Sequence, residues 1–296
     1  MNLRYTGLIP MKAIFSILIL LAPAFAASPE LTNARKLYHA TDYDGTLRLL
    51  QATPEARRDA ESNLLAGKAF YMKGEFKKAS EAFERAVQQD PSNSDYYHWL
   101  GRAYGRRAES SSFVTAPGYA SKARQSFEKA VQLDPHNSEA VNDLFEYYKE
   151  APGILGGGLD KAQNLIGAIK DSDPAEYHFA LAQLAEKRKE YGYAEQQLRK
   201  ALDLAPRQVG RVIDLARFLA KRGRYQESDA LFLKAETIAP GEPKLLFAKA
   251  NTYIQTNRNL EEARALLKRY LEAPLTPDAP TRDEARRLLT KVSGGM

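Results

Sequence analysis

Apolar and small residues recur at helical spacing in two neighbouring stretches, Leu64–Met72 and Phe76–Val87. Lys73 and Gly74 separate the two stretches, and Pro91 follows the second one. The second helix must end before Pro91, because proline lacks the backbone N–H donor and clashes with the preceding turn. The segment therefore predicts a helix, a turn and a second helix. A hairpin of this size cannot bury its apolar face alone, so the pattern requires further copies.

The terminating proline recurs along the chain and marks the copies. Successive prolines are 44, 39, 32, 34 and 34 residues apart, at Pro91, Pro135, Pro174, Pro206, Pro240 and Pro274. The spacings predict six hairpins, with boundaries near 60–93, 94–137, 138–174, 175–208, 209–242 and 243–277. Residues 27–59 have the pattern of a shortened hairpin and residues 278–296 that of a final helix and tail, so we expect them to cap the two ends.

The order of small, aromatic and proline residues carries a family resemblance. In the first copy these residues are Ala66, Gly67, Phe70, Gly74, Phe76, Ala79, Phe83, Ala86 and Pro91. Their order resembles the 34-residue tetratricopeptide (TPR) repeat. The resemblance implies an all-α, right-handed superhelical solenoid of antiparallel helical hairpins, whose first helices line a concave face. The Pro-Gly-x-x-Gly-Gly segment at residues 152–157 and the run Trp99–Ala108 are similar to a bacterial group of exported TPR proteins, and this similarity implies no activity.

Side chains on the concave face are the candidate partner-binding residues. TPR solenoids direct fixed positions of each first helix into this face, and here these positions include Lys68, Tyr71, Arg102, Arg106, Phe179, Arg217 and Lys221. The resemblance thus implies a groove for a peptide or protein partner, which the basic residues predict to be acidic. A solvated face without a partner is the alternative. The lysine and asparagine clamp of the chaperone-tail-binding family members is not reproduced at the corresponding positions.

The first 26 residues have the pattern of an export signal. Basic Arg4 and Lys12 flank or precede an apolar core, and Ala24-Phe25-Ala26 provides a small-x-small cleavage site. Translation from Met11 would also give a usual signal length, and an uncleaved membrane anchor is the alternative to cleavage. We expect an exported protein, periplasmic or secreted, with no membrane span after signal cleavage.

Composition narrows the function classes. The net charge of +6 falls to +4 without Arg4 and Lys12, which is too mild on 296 residues to predict nucleic-acid binding. The chain has no cysteine, so hairpin packing rather than disulfide bonds must stabilise the fold. The four histidines lie in different hairpins without metal-ligand spacing, and no nucleophile motif surrounds the serines. We therefore expect no enzyme activity, no metal and no cofactor.

Two insertions lengthen the second and third hairpins, at residues 106–118 and 150–160. Both fall between the two helices of a hairpin, so they should project from the same edge of the solenoid. Gly153 and Gly156–Gly158 raise the question of a phosphate loop, but no GK[ST] sequence follows and no strand precedes them. A turn with positive φ is the simpler interpretation.

Taken together, the residues and the resemblance predict an exported scaffold or adaptor for cell-envelope assembly or secretion. The alternative is a small-ligand or glycan binder that uses the insertions at residues 106–118 and 150–160. The sequence leaves the partner's identity and the oligomeric state open.

Overall fold

The computed structural model describes residues 28–54, 58–276 and 279–293, so the predicted export signal lies outside the described residues. These residues form α-helices joined by short connections, without a strand among them. The helices are α1 (Pro29–His39), α2 (Tyr43–Gln51), α3 (Ala60–Met72), α4 (Phe76–Gln89), α5 (Ser94–Ser110), α6 (Ala116–Leu133), α7 (Ser138–Glu150), α8 (Leu159–Gly167), α9 (Pro174–Lys187), α10 (Tyr191–Leu204), α11 (Val209–Lys221), α12 (Tyr225–Ile238), α13 (Pro243–Gln255), α14 (Leu260–Glu272) and α15 (Arg282–Ser293). The predicted all-α solenoid of helical hairpins is confirmed.

The helices stack in a regular order. Consecutive helices pair as hairpins, from α1 with α2 to α13 with α14, and each second helix also packs on the first helix of the next hairpin. First helices pack directly on one another where α1 meets α3, α3 meets α5, α5 meets α7 and α11 meets α13. First helices of several neighbouring hairpins thus pack on one another, whereas successive second helices do not pack in this way in the described ranges, so the stack curves with the first helices on its inner side.

A glycine opposite an aromatic ring sets the distance between the two helices of a hairpin. A Cβ atom added to Gly67 on α3 would lie 2.4 Å from the ring of Phe83 on α4. One added to Gly101 on α5 would lie 2.6 Å from the ring of Phe127 on α6. Both rings are buried in the same hydrophobic core. Each ring therefore occupies the space that a side chain at the glycine would need.

Five of the described hairpins close through the same turn. Two positions after the first helix, the backbone is left-handed, with φ between 50° and 77°, at Thr41, Gly74, Lys189, Gly223 and Asn257. The next N–H then donates to a carbonyl oxygen five residues earlier, as Glu75 does to Phe70 at 2.9 Å. This Schellman geometry ends the first helix and reverses the chain. The two insertions replace it in the α5–α6 and α7–α8 hairpins.

Pro174 does not terminate the helix before it. The second helix of its hairpin, α8, already ends at Gly167, and Pro174 is the first residue of α9. Proline fits this position because the N–H it lacks would have no partner within the helix. The prediction that Pro174 marks a helix end is therefore wrong, although a hairpin boundary does lie beside it.

Most of the first insertion is helical. α5 runs to Ser110 and α6 begins at Ala116, so residues 111–115 alone lie outside the two helices. The two helices have 17 and 18 residues, against 13 and 14 in the preceding hairpin. At 1.5 Å per residue, the tip projects about 6 Å beyond the neighbouring turn.

The second insertion folds back on its own hairpin. Residues 153–155 form a short 3₁₀ turn, and φ is +86° at Gly156 and +147° at Gly158. A Cβ atom on Gly157 would lie 1.9 Å from the carbonyl oxygen of Ala151. Backbone geometry therefore accounts for all three glycines, as a turn with positive φ predicts.

The last hairpin departs from the repeat pattern at Tyr270, where a small residue is usual. Tyr270 is fully buried, its ring centre lies 5.2 Å from that of Phe247, and its hydroxyl donates to the carbonyl oxygen of Pro280. Arg282 donates to the carbonyl oxygen of Ala273 at 3.0 Å. These bonds attach the segment that leads into α15 to the last hairpin.

A buried ion network joins α9 to α11. Arg211 donates to Glu176 and lies 3.2 Å from Asp214, and the three side chains are largely buried. Burial raises the pKa of the Glu176 carboxyl. Burial also raises the pKa of Asp214 to about 6, against the opposing charge of Arg211. The network thus contains a carboxyl group that is costly to ionise in the folded chain.

Glycine substitutions test the close approach of the helices. Gly67→Ala should lower the free energy of unfolding by about 1–3 kcal/mol, because the new methyl group overlaps the ring of Phe83. Gly105→Ala is the matched control, since Gly105 lies in the interior of α5 and a Cβ atom there meets nothing within 4 Å. The control should raise stability by about 0.5–1 kcal/mol. Urea unfolding measures both, and equal effects would contradict the helix register.

An asparagine substitution tests the ionisation of Asp214. Because its pKa is raised to about 6 by folding, the contribution of Asp214 to the stability of the wild-type protein falls as pH rises from about 4 to about 6. Asp214→Asn cannot ionise and does not suffer this loss. Its stability relative to the wild type should therefore increase by about 1–3 kcal/mol across that interval, measured by urea unfolding at each pH.

The stability contribution of Asp229 should depend on pH in the opposite direction to that of Asp214. Two hydrogen bonds from Arg258 lower the pKa of the Asp229 carboxyl, so this ion pair stabilises the fold above about pH 4 and is lost as pH falls below that value. Asp229→Asn should therefore cost stability at neutral pH and cost less in acid. Parallel pH dependence of the Asp214 and Asp229 variants would contradict both assignments.

Candidate functional site

The inner helices α3 and α5 carry a group of basic and aromatic side chains, the arginine–aromatic cluster, formed by Lys68, Tyr71, Trp99, Arg102 and Arg106. Trp99, Arg102 and Arg106 lie three and four residues apart, so one face of α5 presents all three. The Arg102 guanidinium lies 4.5 Å from the Trp99 ring centre and 5.4 Å from that of Tyr71. Lys68 Nζ lies 4.8 Å from the Trp99 ring centre. Two cations are thus held against a fixed aromatic wall.

Acidic neighbours set the charge of this cluster. The Asp143 carboxylate on α7 lies 3.6 Å from Arg102 Nε and 2.8 Å from Nε2 of the buried His98. Burial lowers the pKa of the Lys68 amine, and the negative charge of Asp95 opposes this effect. Additional negative charge near a partly buried amine stabilises its protonated form. The cluster therefore favours the binding of a carboxylate.

Arg106 has a structural contact as well as an exposed surface. Its guanidinium lies 5.0 Å from the ring centre of Phe76, the first residue of α4 on the preceding hairpin. Two further arginines cover the first residue of a preceding second helix in the same way: Arg222 on Tyr191 at 3.9 Å and Arg258 on Tyr225 at 4.5 Å. The repetition indicates that this stacking joins neighbouring hairpins.

Phe179, Arg217 and Lys221 form a second cluster on α9 and α11. They line a cavity of about 170 Å³ together with Gln183, Glu186, Leu198, Asp214 and Phe218. Lys221 Nζ lies 3.8 Å from Glu186, so an acidic side chain offsets part of the positive charge. The seven predicted side chains therefore occupy two separate clusters that line different cavities, not one continuous row.

The C-terminal segment faces the arginine–aromatic cluster across a cavity of about 510 Å³. Tyr71, Arg102 and Arg106 line it from the inner helices, and Ala279, Pro280, Thr281, Asp283, Glu284 and Arg287 line it from the C-terminal segment. The segment thus adds an acidic pair and a third arginine to the site. Sequence analysis did not predict this neighbour.

The two ends of the solenoid also meet beside this cavity. A smaller cavity of about 180 Å³ is lined by Thr41, Tyr43 and Met72 and by residues 275, 276 and 279–283 of the C-terminal segment. Burial raises the pKa of Tyr43, and the positive charge of Arg282 partly opposes this effect. The curvature of the whole stack therefore brings the first and last hairpins close together.

The glycine-rich insertion does not offer a phosphate site. The N–H groups of Gly156, Gly157 and Gly158 all donate to carbonyl oxygens of the same hairpin, at 2.9, 3.2 and 2.8 Å. A phosphate loop needs such N–H groups free to meet its ligand. Lys161 Nζ also bonds inward, to the carbonyl oxygen of Gly156 at 2.9 Å.

Two of the histidines bond to polar side chains of other helices. His98 bonds to Asp143, and Nδ1 of His178 lies 2.6 Å from the side-chain oxygen of Gln197. Within residues 28–54, 58–276 and 279–293, no group of three or more His, Asp or Glu side chains could hold a metal ion. In the same ranges no helix combines the length and the apolar character that a membrane crossing requires.

Comparisons with known proteins agree with the repeat fold. The profile of the TPR repeat family matches residues 67–107. A tetratricopeptide repeat protein from Parabacteroides merdae is similar at a TM-score of 0.59 and 14% identity, over 89% of this chain and 97% of its own. Human IFIT1 is similar at 0.52 and 19% identity, over 82% of this chain and 54% of its own. TTC0263, a TPR protein of Thermus thermophilus, has 22% identity and a TM-score of 0.49, over 68% of this chain and 97% of its own.

No curated protein matches the chain in sequence. At these low identities the structural similarity speaks for the fold alone. The family match covers only the end of α3, all of α4 and most of α5. The chain itself shows further features of this fold. It has repeated helical hairpins, glycines packed against aromatic rings and a recurring turn at the end of the first helix. Residues 67–107 thus match the tetratricopeptide repeat, and the described helices form a solenoid of the same kind of hairpin.

Proposed function

We propose that the protein is an exported adaptor that binds an acidic segment of a partner protein on its concave face. TPR proteins are generally non-enzymatic scaffolds for protein interaction, and the proposal adds a site and a kind of partner to this general role. The observation that carries it is the cavity of about 510 Å³ lined by Tyr71, Arg102 and Arg106. The export-signal pattern predicted from the sequence at residues 1–26 is the basis for proposing a role in cell-envelope assembly or secretion.

The arginine–aromatic cluster suits a carboxylate with an apolar neighbour. Guanidinium groups bind carboxylates through two parallel N–H donors, and stacking on a ring leaves these in-plane donors available. Arg102 is stacked on Trp99 before any partner arrives, so less side-chain freedom is lost on binding. The Tyr71 ring beside it gives an apolar contact of the kind that often dominates binding energy.

The charges around the cavity favour an acidic partner on balance. Lys73, Arg102, Arg106 and Arg287 contribute positive charge, and Asp283 and Glu284 contribute negative charge. The acidic pair lies on the C-terminal side, so a carboxylate should bind on the α3–α5 side, where the arginines lie. The second cluster, with Arg217 and Lys221, would contact a segment long enough to continue along the inner helices.

Charge reversal tests the groove. Arg102→Glu with Arg217→Glu should weaken partner binding by about tenfold or more, because each change places a negative charge beside an acidic segment. The chain from Ala27, which contains all described helices, serves as bait in an envelope extract, and mass spectrometry quantifies the recovered proteins. Asp283→Asn with Glu284→Gln should act in the opposite direction and strengthen recovery of the same protein.

Lys200→Glu with Lys268→Glu is the matched control. These exposed lysines lie on the second helices α10 and α14, and the variant makes the same change in net charge as the groove variant. It should recover the partner as the wild type does. If the groove variant folds normally and recovers the partner undiminished, the concave face is not the binding surface.

Export is tested separately at the N-terminus. The small-x-small pattern at Ala24-Phe25-Ala26 should be cleaved, so that the exported protein begins at or near Ala27. N-terminal sequencing of the protein from the periplasmic fraction and the medium measures this. An intact start at Met1 or Met11 in the membrane fraction would show that the segment is an anchor.

A further inference from the structure

Large apolar side chains are exposed where the two insertions turn. Phe113 and Ile154 are each 94% exposed and Val114 is 85% exposed, more than any other large apolar side chain in the described ranges. Phe113 and Val114 form the tip of the first insertion, and Ile154 lies in the second. Single exposed apolar residues are ordinary, but three of them on insertions at one edge indicate an interaction surface.

The fold holds these side chains in place. The long helices α5 and α6 carry Phe113 and Val114 beyond the neighbouring turns. The loop that bears Ile154 is fixed by the Tyr147 hydroxyl, which donates to the carbonyl oxygen of Leu155 at 2.8 Å. The exposure of Ile154 is therefore a property of a well-bonded loop.

A cationic cavity of about 510 Å³ lies at the base of the first tip. Basic and hydroxyl side chains line it, namely Lys77, Lys78, Arg107, Ser110, Ser111 and Tyr119, together with Phe76 and the acid Glu75. The Lys77 and Lys78 side chains are 78% and 62% exposed. Arg107 is held by hydrogen bonds to Ser80 at 2.8 Å and to Tyr119 at 2.5 Å. Lys78 also pairs with Glu75 and Lys77 with Glu81. The cavity thus combines exposed lysines with one partly buried guanidinium held by two hydrogen bonds.

The two edges of the solenoid have opposite charge. Connections within hairpins form the edge that bears the tips, and most of their charged residues are basic: Lys73, Arg188, Lys189, Arg222, Arg224 and Arg258, against Asp42, Glu75 and Glu190. Connections between hairpins form the other edge, where most are acidic: Asp59, Asp90, Asp134, Asp171, Asp173 and Glu242, against Arg58, Lys170 and Arg207. Helix capping explains part of the acidic edge. On the basic edge, three of the residues pair with carboxylates of the helices, namely Lys73 with Asp44, Arg224 with Glu195 and Arg258 with Asp229. This uneven distribution of charge would orient the protein with its tip-bearing edge facing a negatively charged surface.

We propose that this edge docks the protein on an anionic phospholipid bilayer. Phe113, Val114 and Ile154 enter the interfacial region, and Lys77 and Lys78 bind headgroup phosphates. Apolar side chains beside exposed lysines match the bilayer interface, where acyl chains and phosphates lie within a few ångströms of each other. The surface adjoins the concave groove at Gly74 and Phe76, which line both cavities, but none of the five side chains proposed to contact lipid lines the groove cavity. The inference therefore does not depend on the proposed function.

A bilayer fits this edge better than a folded protein does. Protein interfaces have a continuous apolar core surrounded by a polar rim. Here the apolar side chains stand on two separate loops with charged residues between them. Fluid acyl chains can surround each apolar side chain separately. Headgroup phosphates can bind each lysine without any fixed spacing between them.

Vesicle binding tests the proposal. The chain from Ala27 contains the whole described fold and lacks the apolar N-terminal segment, which would bind lipid by itself. It should sediment with vesicles of equimolar phosphatidylglycerol and phosphatidylcholine and much less with phosphatidylcholine alone. Phe113→Ser with Val114→Ser should weaken the partition by about tenfold or more. Lys77→Glu with Lys78→Glu should weaken it by about the same factor, and added salt should also reduce binding.

Two variants control for apolar exposure and charge. Leu204 and Leu233 are 53% and 62% exposed outside this edge, so Leu204→Ser with Leu233→Ser should bind vesicles like the wild type. Lys200→Glu with Lys268→Glu makes the same charge change as the lysine variant and should also bind normally. Failure of the wild type to bind anionic vesicles, or equal losses in the controls, would overturn the proposal.

The absence of cysteine allows a direct test of insertion. Phe113→Cys creates one labelling site for an environment-sensitive dye, and its emission should shift to the blue with anionic vesicles. Leu233→Cys, labelled in the same way, should show no shift. A blue shift of the Phe113→Cys dye with a vesicle-free protein extract, and none with vesicles, would assign the edge to a protein partner and reject the bilayer.

Discussion

In the α3–α4 and α5–α6 hairpins, the contact between a glycine backbone and a buried aromatic ring is the constraint that sets the packing of the helices. Phe83 packs on Gly67 and Phe127 packs on Gly101, and this fixes how closely the two helices of a hairpin approach. The spacing in turn decides how each hairpin seats on the next, and thus how strongly the stack curves. The rotation between neighbouring hairpins accumulates along the stack and places α15 near the first hairpins.

Arginine stacking adds a second, inter-hairpin contact. The aromatic residue that begins a second helix is covered by an arginine of the following hairpin, as in Arg106 on Phe76 and Arg222 on Tyr191. Under the proposed function, Arg106 would combine this structural role with a binding role. A guanidinium held by a ring is already oriented for a ligand, so the contact that joins two hairpins also prepares the groove.

The sequence predicted what is decided locally. Repeat position determines where a side chain on a first helix points, so the seven candidate residues could be placed on the inner helices in advance. The turn geometry could be predicted only in part. Gly74 and Gly223 indicate a left-handed residue, whereas Lys189 adopts the same conformation although it is not a glycine. Trp99 was not recognised as part of the site, since its position alone does not distinguish packing from exposure. The C-terminal neighbour could not be predicted, because its place depends on the rotation accumulated over every hairpin.

The attachment of Tyr270 to Pro280 has an evolutionary consequence. Repeat arrays commonly change length by gain or loss of whole hairpins, and an open groove tolerates such changes because each hairpin contacts only its neighbours. In this chain the cavity at α3 and α5 is completed by the segment that Tyr270 holds at the far end. One hairpin more or fewer would rotate that segment away from the arginines. The number of hairpins is therefore part of the architecture of the site, and a duplication elsewhere in the array would alter it without changing any residue that lines it.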